Sequence, residues 1–306
     1  MKTAVAFIIF NRPDTTEKSF EVIRQAQPPK LLVIADAPRP NRPGESERCT
    51  VTRAIIDRVD WNCEVLKNYS DVNLGCQKRV SSGLDWVFSL VEEAIIIEDD
   101  CLPDPSFFRF CEELLDYYRQ EDRVMAINGQ NNQFGRRRDD SSYYFSRYFH
   151  CWGWATWSRA WKHYDVDLQS WPTVSKGELL HNIFKSQNDV DYWRNILQET
   201  YEKKIDTWDY QWLFACWLRK GLIVNPNVNL ISNIGFGSLA ANTVCDSRDS
   251  LYANMKVKEM LFPLKHPSLL THNQSADKFT QETVFNPSLI TRVRSKISRV
   301  IGIKSI

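Results

Sequence analysis

This chain of 306 residues is short of several things, and each shortage narrows what it can be. Its 39 basic and 38 acidic residues leave a formal charge of +1, so no global field draws it to nucleic acid. The eight cysteines include no C-x-x-C pair, and several lie in apolar or helical stretches; they read as reduced, intracellular thiols. No apolar run suits a signal segment or a membrane span: the first, residues 4–10, is stopped by Asn11-Arg12-Pro13 and predicts a strand. A cytoplasmic protein is expected. Neither a G-x-G-x-x-G fingerprint nor a G-x-x-x-x-G-K-[ST] loop comes after that strand, which sets aside Rossmann dehydrogenases and P-loop NTPases. Internal repeats and low-complexity tracts are absent as well.

What is present is an ordinary globular composition, 43% hydrophobic and 25% charged, enough for one large domain or two small ones. Runs at 4–10, 31–35, 63–66 and 94–97 predict strands, and patterns at 14–25, 45–59, 77–91 and 105–118 predict helices. Asp14 and Glu17 have the spacing of a capping box for the first helix. The alternation implies an α/β fold with a doubly wound, mainly parallel sheet. A fifth strand is expected at 124–127, then a polar loop from Gln130 through Asp140 and an aromatic-rich segment at 143–161. Helices are expected near 176–184, 189–203 and 209–220.

The stretch Ala94-Ile95-Ile96-Ile97-Glu98-Asp99-Asp100 carries the most information. A β-branched apolar run reads as a strand buried on both faces, and open α/β sheets bind ligands at the carboxyl ends of their strands. Three adjacent carboxylates there repel one another, so one must be protonated or a cation must sit among them. A hard ion, Mg2+ or Mn2+, is the natural partner beside substrate phosphates. The ordinary alternative is a solvated acidic turn before Pro103. Arg12 and Asp36, at neighbouring strand ends, form a donor and acceptor pair that matches the edge of uracil. Taken singly, each has an ordinary explanation: Arg12 pairing with Asp14, and Asp36 making an Asx-turn ahead of Pro38.

Asn-Arg-Pro after the first strand, Ala-Asp after the second and Glu-Asp-Asp after a later one together resemble the GT-A fold of nucleotide-sugar-dependent glycosyltransferases. The similarity is to the N-acetylglucosaminyltransferase I group and to bacterial family-2-like transferases, over roughly residues 1–245. It implies that Asp100 ligates Mn2+ or Mg2+ and that Arg12 and Asp36 contact uracil. It also implies that Lys78 and Arg79 approach the diphosphate and that Asp99 lies near the donor ribose and sugar. Trp152-Gly153-Trp154 matches a Gly-Trp segment near donor sugar and acceptor, with Trp154 as the sugar-binding indole, although core packing is the usual role of such residues.

Asp206-Thr207-Trp208-Asp209 opens a helix, where an aspartate ordinarily caps. In the similar enzymes a Trp-Asp element carries the general base, so Asp209 is expected in that role with Asp206 in reserve. Asn242 stands where the family often has a histidine, so a histidine contact to the pyrophosphate is not expected from that loop. The implied reaction is transfer from a UDP-sugar to a hydroxyl of a glycan or lipid-linked acceptor, and a single base in direct displacement inverts the anomeric centre. Competing readings are a sugar-nucleotide pyrophosphorylase and a non-catalytic carbohydrate-binding protein holding Ca2+.

The expected organisation is a GT-A catalytic domain at 1–265, with a nucleotide-binding half at 1–128 and an acceptor-side half at 129–265. Residues 266–306 form an extension. Within it Ile290, Val293, Ile297, Val300 and Ile301 alternate with Arg292, Arg294, Lys296 and Arg299, a basic amphipathic helix pattern over 289–304. It either packs on the domain or makes peripheral contact with an anionic membrane, at the inner face of the plasma membrane.

Overall fold

The computed structural model describes residues 1–236, 252 and 255–286. Asn242 and the basic amphipathic segment fall outside the described residues. The first four strands are β1 (Ala4–Ile9), β2 (Lys30–Ala35), β3 (Glu64–Tyr69) and β4 (Glu93–Glu98). Between and after them run α1 (Pro13–Ala26), α2 (Glu45–Ile55), α3 (Gly75–Leu90) and α4 (Ser106–Tyr117). The apolar runs become strands because both faces are covered: Leu31 to Ala35 and Ala94 to Ile97 have no exposed surface.

A short strand β5 (Cys101–Pro103) comes directly after the acidic triplet, and the second half supplies β6 (Val124–Asn128), β7 (Tyr143–Ser146), β8 (Trp154–Trp157) and β9 (Leu222–Pro226). All but β5 join in an eight-stranded sheet in the order β3-β2-β1-β4-β8-β6-β9-β7. The pairs β1–β2, β2–β3, β1–β4 and β6–β9 are parallel, while β8 runs antiparallel to β4 and β6, and β7 to β9. Six strands therefore point the same way, and the doubly wound, mainly parallel α/β sheet expected from the sequence is present. Their carboxyl ends share one edge. Over that edge β5 pairs antiparallel with β10 (Ile231–Asn233).

Helices of the second half are three short turns, α5 to α7 (Ser158–Trp161, Trp171–Val174, Leu179–Ile183), then α8 (Gln187–Tyr201) and α9 (Asp209–Leu218). A further helix, α10 (Gln274–Thr280), is fastened to the sheet through Asp277, which accepts from Ser146 Oγ at 2.6 Å and lies 2.8 Å from His272 Nδ1. Among the described residues no helix is long and apolar enough to cross a membrane.

Two local expectations are corrected. Helix α1 begins at Pro13 with Arg12 in the N-cap position and no side-chain cap, so Asp14 lies inside the first turn and forms no capping box; proline's fixed φ suits that first position. Gln130 to Gln133 form the expected polar loop, but that loop is buried rather than solvated. Their amides are engaged internally: Asn131 donates to the Pro226 carbonyl, Asn132 reaches His150 Nδ1 at 3.0 Å, and Gln133 donates to Thr280 Oγ1 at 2.8 Å.

Candidate active site

Glu98 ends β4, and the turn Asp99–Asp100 leads into β5. From the turn between β1 and α1, Arg12 reaches across: its guanidinium donates to Asp100 Oδ2 at 2.8 Å and to Asp99 Oδ1. Asp99 also accepts from the Phe10 N–H at 3.1 Å. Burial raises the pKa of Asp99, and Arg12 pulls it back. Burial works against the charge of Arg12 too, but the two aspartates outweigh it and hold Arg12 firmly cationic. Gly235, just past β10, closes over this pair; a Cβ there would overlap the Asp100 carboxylate and stand 2.7 Å from Arg12 Nη1.

The second half contributes Asp209, the first residue of α9. Burial pushes its pKa up, opposed by the Thr207 hydroxyl and by the backbone N–H groups of Asp209 and Tyr210. Glu98 feels burial first, then the charge of Asp100 and, more weakly, those of Asp99 and Asp209, and its pKa is pushed up to about 8. The Cys151 thiol is raised by burial and by Asp209, Glu98 and Asp100 together, so it is an inert thiol inside the cluster. Arg12, Asp99 and Asp100 are thus joined directly, with Glu98 beside them on the chain and Asp209, from the second half, near enough for its charge to act on Glu98.

The other residues singled out from the sequence stand elsewhere. Asp36 is buried and accepts from Ala37 N, Leu74 N and Gly75 N at 2.9–3.0 Å and from Asn73 Nδ2 at 3.1 Å. Asp206 accepts from Cys76 N at 3.3 Å and Gln77 N at 2.9 Å. Both therefore cap the first turn of α3, which is an ordinary structural use for each carboxylate. Arg79 is buried and turned toward β3, donating to the Asn68 carbonyl at 3.2 Å and to its side chain, while Lys78 is exposed.

Trp154 has no exposed surface and packs against Phe149, Trp161, Trp208 and Trp212 at ring centroid distances of 4.9–6.2 Å. The sugar-binding expectation for Trp154 is corrected: its indole is core, presenting no face to a ligand. Trp152, two residues earlier, is the partly exposed indole. Glu98, Cys151 and Gly235 belong to the site without having been assigned individual roles from the sequence, and Trp152, the other glycine-adjacent indole, stands there in place of Trp154. Glu98, inside the triplet, Trp152, beside Gly153, and Gly235, in the segment 231–237 that resembles the family's stretch after the base helix, carried a signal.

The implied divalent ion needs converging donors. Among the described residues no three of His, Cys, Asp and Glu converge where an ion could be held, and Asp99 and Asp100 both give oxygens to Arg12. As arranged, the donors do not fit a divalent ion; one at Asp100 requires Arg12 to leave.

No protein-family model matches the chain. No curated protein matches it. Among solved structures it is similar to residues 1–349 of TarS from S. aureus, with 9% identity and a TM-score of 0.41, covering 73% of this chain and 57% of that one. Mouse xyloside xylosyltransferase 1 in its apo form gives 12% identity and a TM-score of 0.34 over 71% of this chain and 81% of that one. A UDP-glucose pyrophosphorylase complexed with UDP-glucose gives 12% and 0.27 over 48% and 62%. The chain spans 30% of a longer TarS structure.

Proposed function

We propose that this chain is a GT-A-type glycosyltransferase that moves a sugar from a nucleotide diphospho-sugar, with UDP as the nucleotide, to a hydroxyl of a glycan or lipid-linked acceptor. The observation that carries the reading is the cluster of Arg12 with Asp99 and Asp100, next to Glu98, at the carboxyl edge of the sheet, with Asp209 from the second half near enough for its charge to act on Glu98. Asp209 is the general base: it takes the acceptor hydroxyl's proton as that oxygen attacks the anomeric carbon. Its upward-shifted pKa brings it nearer the operating pH, where a base is most effective. Arg12 is the cation at hand for the departing diphosphate, and its place between two aspartates keeps it charged and oriented before substrate arrives. Burial and the neighbouring carboxylates push Glu98 toward its protonated form, in which it donates a hydrogen bond to a sugar hydroxyl rather than adding a second anion. With one base and direct displacement, the anomeric centre inverts.

The pyrophosphorylase reading fits less well, because β1 runs into Asn11-Arg12-Pro13 instead of a glycine-rich basic loop. Calorimetry with UDP, with and without Mn2+ or Mg2+, then UDP release from a panel of UDP-sugars, tests the proposal. The expected result is UDP binding and acceptor-stimulated release. No UDP binding under either condition would overturn it.

A further inference from the structure

The aromatic residues of the second half fall into two populations. Most are core, such as Trp154, Trp193 and Trp212, which have no exposed surface. A different set forms a connected row of partly exposed rings: Phe236, Trp152, Tyr252, Phe134 and Phe279. Successive ring centroids in that row lie 5.6, 6.4, 5.7 and 6.4 Å apart. The row draws on distant segments of the chain, so no local helix or strand period produces it. Trp152 rests on the core that includes Ile231, which holds the indole in place while part of it stays exposed.

One end of this row abuts the acid cluster in two ways. Phe236 is next to Gly235, whose missing side chain lets that backbone lie against the Asp100 carboxylate and Arg12. Trp152 is next to Cys151, whose thiol feels Asp209, Glu98 and Asp100. Successive rings stand edge-on or tilted to one another and Arg136 lies 4.2 Å over Phe279, so each exposed face is a separate stacking step, and partly exposed rings beginning beside acids have the chemistry of a sugar-binding surface. The apolar C–H face of a pyranose stacks on an aromatic face, while its hydroxyls reach carboxylates and water at the edge. Five rings in a row outrun a single sugar.

We infer that the row Phe236–Trp152–Tyr252–Phe134–Phe279 is the acceptor subsite and takes an oligosaccharide, whose terminal hydroxyl it delivers to Asp209. This inference rests on the transferase reading and names the acceptor class for that site. Trp152, toward the acid end of the row, holds the terminal sugar, and Phe134 holds the next one outward.

Saturation-transfer-difference NMR on the full chain tests it with cellobiose, chitobiose and monomeric dodecyl β-maltoside as probes, UDP affinity being measured in parallel. Pyranose ring protons should receive saturation from the native protein. The signal should fall about five- to tenfold in Trp152→Ala, recover in large part in Trp152→Phe, and fall less in Phe134→Ala. UDP binding by each variant shows that it has folded. If ring protons of all three probes stay silent, or if Trp152→Ala and Phe134→Ala both leave the signal unchanged, the subsite is overturned. Saturation of the dodecyl chain without the maltose rings would also overturn it, in favour of a lipid-binding surface. Loss of UDP binding by the native chain would instead strike the transferase reading itself, so the two failures are told apart.

Discussion

Asp36 and Asp206 share the carboxyl edge of the sheet with Glu98, Asp99, Asp100 and Asp209, yet the two groups of acids are held in different ways. The first pair receives backbone N–H groups from Leu74, Gly75, Cys76 and Gln77, so their charge is spent on the start of α3, where the helix dipole also favours it. The second group has one guanidinium among four carboxyls; burial lifts Glu98, Asp99 and Asp209, and it lifts Asp36 too, but what opposes it at Asp36 is chiefly backbone N–H groups rather than a guanidinium. An acid satisfied by amides is part of the scaffold, whereas acids crowded against one another are held ready for a proton or a charged ligand.

Exchanging charge for its neutral isostere breaks the contrast most sharply at Asp209. Asp209→Asn is expected to lower turnover about 100- to 10,000-fold with UDP affinity retained, as general-base loss does. Asp206→Asn keeps an acceptor oxygen for α3 and is expected to stay near the parent rate. Turnover measured for the two side by side decides; the reverse ranking would exchange their roles.

Removing the cation is the next largest change. Arg12→Met leaves Asp99 buried beside Asp100 without its partner, a loss on the order of 3–5 kcal/mol in stability, read from urea unfolding. Adding Asp99→Asn to that variant should recover part of it, because the uncompensated charge is then gone. If Arg12→Met unfolds at the parent midpoint, the pair is not holding the edge together.

Glu98 sharpens the comparison through pH. Its folded pKa stands above its unfolded value, so its contribution to stability is complete below about pH 4.5 and is lost as pH rises through about 8. The melting temperature of the parent should therefore fall relative to Glu98→Gln between about pH 5 and about pH 8.5, by a few degrees. Equal slopes for the two proteins would show that Glu98 ionises freely. The smallest effect belongs to the scaffold acid: Asp206→Ala should cost about 1 kcal/mol, the usual worth of a helix cap, in the same urea assay.

The alternation of strands and helices as far as β6, apart from the short β5, and the edge on which the acids would stand were legible in the chain itself, whereas β7 to β10 were not. Apolar runs such as Ala94-Ile95-Ile96-Ile97 are local signals: buried on both faces, they can be little else than central strands, and the acids at their carboxyl ends must then stand on the carboxyl edge of the sheet. The pairing of charges was decided only by tertiary structure. Arg12 meets Asp99 across 87 residues of sequence, and Asp206 meets Gln77 across 129. No periodicity records such contacts, because they depend on which loops the finished sheet brings together. The same holds for Trp152 and Trp154. Both flank Gly153 and are alike as sequence, but β8 begins at Trp154 and carries it into the core, while Trp152 is left on the rim among rings from other segments.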